Sequence, residues 1–119
     1  MLEKVAFTMF PVKDAQRARA FYRDALGLTM GSHSKDGVWT EYDLPGGGCL
    51  ALYQDASMQS SGAGGSIAFE VTDLDSLVER LAGLGVHAKH GLVHSPVCRM
   101  AHISDTEGNP IILHELKKR

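Results

Sequence analysis

Apolar alternation, helical spacing and glycine punctuation divide the chain twice in the same order. Residues 4–10 alternate and predict a strand, which Pro11 ends. Asp14 is placed to cap a helix, because its carboxylate can accept orphan backbone N–H groups. Ala18, Phe21, Ala25 and Leu26 then follow helical spacing, and Gly27 supplies a left-handed C-cap. Strands are predicted over 28–34, 38–43 and 49–54, with Lys35-Asp36-Gly37 and Pro45-Gly46-Gly47-Gly48 as the turns between them. The small, polar stretch 56–64 reads as a linker. The pattern then restarts with a strand over 66–71, a cap at Asp73, and a helix face of Leu74, Leu77, Val78, Leu81 and Leu84 that Gly85 ends. Three more strands are expected near 86–94, 97–104 and 110–116.

The restart is also visible in the letters. Val12-Lys13-Asp14 returns as Val71-Thr72-Asp73 at an offset of 59, and Leu26-Gly27-Leu28 as Leu84-Gly85-Val86 at an offset of 58. Asp43-Leu44-Pro45-Gly46 returns loosely as Asp105-Thr106-Glu107-Gly108 at an offset of 62. The expectation is an α+β chain forming one domain, 1–119, of two βαβββ units, 1–55 and 65–119, joined by 56–64.

Composition narrows the function classes. A formal charge of −2 with 22% charged residues gives no concentrated basic face, so no nucleic-acid partner is expected. Apolar runs are short, so no membrane span or secretory leader is expected and the cytoplasm is the expected location. The two cysteines, Cys49 and Cys98, are far apart and outside any C-x-x-C pair, which argues against a disulfide framework or a structural zinc site.

Val12-Lys13-Asp14, the run Phe21-Tyr22-Arg23-Asp24-Ala25-Leu26-Gly27-Leu28, the stretch 67–75 and Asp105-Thr106-Glu107-Gly108-Asn109 together resemble the vicinal oxygen chelate superfamily. That group includes glyoxalases, bleomycin-resistance proteins, fosfomycin-resistance proteins and extradiol dioxygenases. The resemblance implies a curved mixed sheet with outer helices and a concave cavity, in a homodimer with cavities at or near the interface. In metal-dependent members, ligands come from the first, fourth, fifth and last strands. The matching positions here are Phe7, Ala51, Ser66 and Ile112. Three have no side-chain lone pair, and neutral Ser66 is a poor ligand for a divalent cation. No metal and no cofactor are therefore expected.

The expected function is binding of a small molecule in the concave cavity. Phe7, Met9, Trp39, Ala51, Tyr53, Ser66 and Ile112 would form the walls, and Glu70, Arg99, His102 and His114 would orient the ligand. The alternative is an enzyme, a glyoxalase-like lyase or dioxygenase with a displaced metal site or metal-free acid–base catalysis, drawing on Glu70, His102 and His114. A carboxylate at Glu70 on an apolar wall would have a raised pKa. Arg99, in a strand among apolar residues, needs an anion, either from a ligand or from Glu70 or Glu41. His87, His90 and His94 read as rim residues, because three-residue spacing on a strand puts the first two on opposite faces. Cys98 and His102, four apart on one strand, are too distant to form a nucleophile–base pair.

Overall fold

The computed structural model describes residues 1–55, 57 and 64–117. In chain order the elements are β1 (Thr8–Val12), α1 (Ala15–Asp24), β2 (Trp39–Asp43), β3 (Cys49–Gln54), β4 (Ile67–Glu70), α2 (Leu74–Gly83), β5 (Lys89–His94), β6 (Cys98–Ser104) and β7 (Pro110–Leu116). They form two mixed sheets, ordered β1-β3-β2 and β4-β7-β6-β5. In each, the first strand of the unit runs parallel to the last and the remaining pairs are antiparallel. Among the described residues no helix is long and apolar enough to cross a membrane. The stretch 56–64, read as a linker, lies largely outside the described residues.

The helices begin and end where local chemistry places them. Asp14 Oδ1 accepts from the Arg17 amide at 3.0 Å, and Asp73 Oδ1 from the Ser76 amide at 3.1 Å. Gly27 and Gly85 leave the helices at φ 70° and 83°, the left-handed conformation that a side chain disfavours.

Three strand expectations need correction. Residues 4–7 lie outside the ladder, and Pro11 sits inside β1 rather than ending it. Val12 O accepts from Asp55 N, so Phe10 and Val12 turn their backbone groups to β3, while residue 11 faces the free edge, where proline's missing N–H costs nothing. Residues 28–34 form no strand of their own. Gly31, Ser32 and Ser34 exchange single bonds with Glu41 and Trp39, and His33 makes one isolated bridge to Thr40. Glycine and serine there give the pleat little to pack. In β5 the register breaks between Lys89 and Val93, with His90 at φ 59° and Gly91 at 70°, so the strand alternation used to place the three histidines does not run through it.

One core serves both units. Phe10, Val12, Leu50 and Leu52 of the first sheet, Ile103, Ile111 and Leu113 of the second, and Tyr22, Leu74 and Leu81 of the helices belong to one buried cluster. The helix-side faces of the two sheets therefore share an interior, and their other faces are open.

The turn between β6 and β7 fastens the units together. Buried Asp105 accepts from the Tyr22 hydroxyl at 2.9 Å, the Glu107 and Asn109 amides at 2.8 Å each, and Asn109 Nδ2 at 2.9 Å. Glu107 accepts from the Lys13 and Asp14 amides at 2.9 Å each and from Arg17 Nε at 2.8 Å. Asn109 Nδ2 also donates to Pro11 O at 2.9 Å, on the free edge of β1. Burial, with the charge of Asp105 next, pushes the Tyr22 hydroxyl far above its ordinary range, so it stays a donor. The resemblance landmark D-x-x-G-N is thus a structural clasp.

The hydrogen-bond frame also corrects the phase of the repeat. Leu44 N bonds Gly48 O, and Gly47 N bonds Leu44 O, as Asp105 N bonds Asn109 O and Gly108 N bonds Asp105 O. Leu44, not Asp43, is the counterpart of Asp105.

Candidate functional site

Each open face can be read row by row from the strand register. On the first sheet one row is Met9, Ala51 and Glu41, and the next is Pro11, Tyr53 and Trp39. The Trp39 and Tyr53 ring centroids are 5.9 Å apart, and Phe7, ahead of β1 and 46% exposed, stands edge-on to Trp39 at 5.3 Å. Ala51 is fully buried between its row neighbours. Trp39 Nε1 donates to Glu41 Oε2 at 2.6 Å, and Cys49 Sγ reaches Glu41 Oε1 at 3.8 Å. Burial and then the charges of Glu41 and Asp43 push the Cys49 thiol up, so it is a protonated donor rather than a nucleophile. Glu41 was missing from the site expected from sequence; its two-residue spacing from Trp39 was the signal.

On the second sheet one row is Ala68, Ile112, His102 and Lys89, and the next is Glu70, His114, Met100 and Val93. Ser66 precedes β4 on the same alternation and is exposed. His114 Nδ1 and Glu70 Oε1 are 2.6 Å apart, and Glu70 Oε2 accepts from the Leu116 amide at 2.9 Å. In the tautomer with Nδ1–H directed at the carboxylate, Nε2 of His114 is the ring nitrogen left to accept. Glu70 departs from expectation. The Leu116 amide, then His114, hold its carboxyl below the usual range instead of above it. The side chain is 54% exposed and hydrogen-bonded, so little desolvation opposes its charge. His102 is diagonal to His114, one row away.

Arg99 does not join this group. It lies on the helix side, where Asp75 holds it at 3.0 Å and Glu115 at 2.7 Å. Its charge is answered within the chain, by neither Glu70 nor Glu41. Residues 99 and 102 fall on opposite faces of a regular strand.

The residues matched to the metal-dependent pattern divide between the faces. Phe7 and Ala51 are on the first, Ser66 and Ile112 on the second. Their side chains do not fit a divalent cation, since only the Ser66 hydroxyl carries a lone pair. Among the described residues no three His, Cys, Asp or Glu side chains gather as a metal site either. No hydrogen bond, ion pair or ring contact joins one open face to the other among the described residues. The contacts between units run instead through the clasp, the core and Arg80 to Asp24 O.

Comparison with known proteins agrees with this architecture. The chain is 30% identical over 109 residues to the anthracycline biosynthesis protein DauV of Streptomyces sp. (strain C5), which covers 88% of this chain but 38% of that protein. It therefore spans about two-fifths of that relative's length. A glyoxalase/dioxygenase from Nostoc punctiforme has the same fold at TM-score 0.81 and 20% identity, covering 97% of this chain and 92% of that one. So does TnmS3, an antibiotic binding protein from Streptomyces sp. CB03234, at TM-score 0.77 and 24% identity, covering 98% of this chain and all of that one. The model of the Glyoxalase/Bleomycin resistance protein/Dioxygenase superfamily matches residues 4–113, and the chain belongs to that family.

Proposed function

We propose that the chain binds a planar, largely apolar small molecule against the first open face, without a divalent metal. The observation that carries this is the aromatic wall of Phe7, Trp39 and Tyr53 over Met9 and Ala51, with the Glu41 carboxylate fixed at its end. Aromatic side chains offer contact area at little cost in conformational freedom, and one anchored polar group orients the ligand. The antibiotic-binding relative and the anthracycline biosynthesis relative make a polycyclic antibiotic the first class to test.

Trp39 is the only tryptophan, so its fluorescence reports this site alone. An anthracycline should quench it saturably at micromolar concentration. Tyr53→Ala should weaken binding about tenfold, as loss of an aromatic anchor does. Quenching that does not saturate, or that Tyr53→Ala leaves unchanged, overturns the reading.

A second reading rests on the Glu70–His114 pair, whose second ring nitrogen, Nε2, could take a proton from a substrate. That face belongs to an enzyme with a displaced metal site if one metal strongly raises the melting temperature and Glu70→Gln or His114→Ala abolishes the rise. Metal at a hundredfold excess over its dissociation constant would add about 2.7 kcal/mol. The binding reading expects almost no shift.

We also infer that a second copy brings its Ser66, Ile112, His102 and His114 face opposite the aromatic wall. Exposed Phe7, Val93 and Leu116 on these faces support the inference. Light scattering across a dilution series should show a dimer. A strict monomer at high micromolar concentration counts against it.

A further inference from the structure

The clasp has a counterpart position that is left open. In the corrected frame Leu44, Pro45, Gly46 and Gly48 stand where the second unit has Asp105, Thr106, Glu107 and Asn109. The partner residues have changed with them. Tyr22, which bonds Asp105, corresponds to Leu81, and Arg17, which pairs Glu107, corresponds to Ser76. In place of the clasp's side chains lies a cavity of about 620 Å³ on the free-edge side of β4, walled by Leu26, Leu28, Leu44, Phe69, Val71 and Leu77. Its size and its mostly apolar wall suit a small organic ligand.

The filled site shows which polar groups the open one presents. At the clasp, Glu107 accepts from the Lys13 and Asp14 amides, and Asn109 Nδ2 donates to Pro11 O. The matching groups are the Thr72 and Asp73 amides and Glu70 O. Val71 N bonds His114 O, so β4 turns residues 67, 69 and 71 to β7 and leaves 68, 70 and 72 toward its free edge. Among the described residues the Thr72 and Asp73 amides have no acceptor, and Thr72 lines the cavity. The clasp also supplies the Arg17 cation to its carboxylate, and among the described residues no cation lines this site. Ser76 Oγ is committed to Asp73, and the Glu70 carboxylate is taken up by His114 and the Leu116 amide on the open face. A carboxylate ligand would find no counter-charge.

We propose that this cavity is a second binding site, separate from the aromatic wall, for an uncharged, largely apolar molecule carrying an amide or lactam. The ligand carbonyl accepts from the Thr72 and Asp73 amides. Its N–H donates to Glu70 O, and its apolar body fills the space that Thr106, Glu107 and Asn109 occupy on the other side of the molecule.

The test titrates the full chain with three probes of similar bulk: dihydroisoquinolinone (a lactam), tetralone (carbonyl only) and naphthoate (carboxylate). Binding is followed by the amide resonances of Val71 and Thr72 and the methyl resonances of Leu28 and Leu77. The lactam should bind saturably, about tenfold tighter than tetralone, because a donor or acceptor of the site left unpaired weakens binding by that order. Naphthoate should bind weakest. Gly46→Glu rebuilds the clasp's carboxylate at its counterpart position, where an added Cβ meets nothing within 4 Å. It should abolish lactam binding and leave Trp39 fluorescence unchanged. Gly46→Leu, which fills the space without a charge, should do the same and serves if the first variant does not fold. Absence of saturable shifts with the lactam, tighter binding of naphthoate, or lactam binding that survives Gly46→Leu overturns the proposal.

Discussion

Asp105→Ala is expected to remove about 4 kcal/mol of folding stability, more than any single change on the open faces. The carboxylate accepts four bonds in a buried place, and deleting it strands the Tyr22 hydroxyl and the Asn109 amide and leaves Asn109 Nδ2 with Pro11 O alone. Each buried donor left without a partner costs about 1–3 kcal/mol. Tyr22→Phe removes one donor and leaves the acceptor three partners, so it should cost only about 1 kcal/mol. Urea unfolding of the two variants beside the wild type measures both values. If Asp105→Ala falls within about 0.5 kcal/mol of wild type, as an ordinary surface substitution would, the clasp does not hold the units together.

Acid should attack the same place through Glu107. Burial pushes its carboxyl upward, but the Arg17 guanidinium, the Asp14 amide, the Thr106 hydroxyl and the Lys13 amide outweigh it, taking the group from 4.5 to about 2. The side chain is 1% exposed, so solvent screens these contacts little. The folded state therefore binds the proton less readily than the unfolded chain. The stabilisation is complete above the unfolded value near 4.5 and is lost as pH falls through the folded value near 2. It amounts to about 3 kcal/mol. Glu107→Gln should be less stable than wild type by about that amount at neutral pH, and the difference should shrink steadily across this window. Chemical denaturation at several pH values checks it. A difference that does not change between neutral pH and about pH 2.5 would show that Glu107 carries no such linkage.

How far the fold can be read from the letters depends on the range of the interaction. Asp14 and Asp73 cap within three residues, and Gly27 and Gly85 act within one turn, so local chemistry announced both helices. Pro11 misled because an edge strand tolerates proline on its open side, and edge or centre is decided by pairing with Cys49–Gln54 far along the chain. Residues 28–34 alternate like a strand, yet Gly31 and the serines beside it give the pleat too little to pack. On the sites, period two was enough to place Trp39 on one face with Glu41, but the expected ligand-orienting group joined Arg99 to His102 although three-residue spacing puts them on opposite faces. The clasp was not legible, because Glu107 meets Lys13 across 94 residues and no spacing rule reaches that far. The repeated Asp of Asp43 and Asp105 even set the duplication one residue out of phase, and only the turn hydrogen bonds restored it.

The clasp also fixes an order of events during synthesis. Every bond it makes to the first unit spans at least 83 residues, from Tyr22 to Asp105, and as many as 98, from Pro11 to Asn109. A ribosome adding about 5–20 residues per second therefore holds the first unit incomplete for several seconds. Through that interval the Tyr22 hydroxyl and the free edge of β1 have no final partner. Contacts this distant in sequence also slow closure of the finished chain. The nascent first unit is the form in which this protein is most open to wrong strand pairing and to capture by chaperones, and chains arrested before Asp105 should be degraded faster than completed ones.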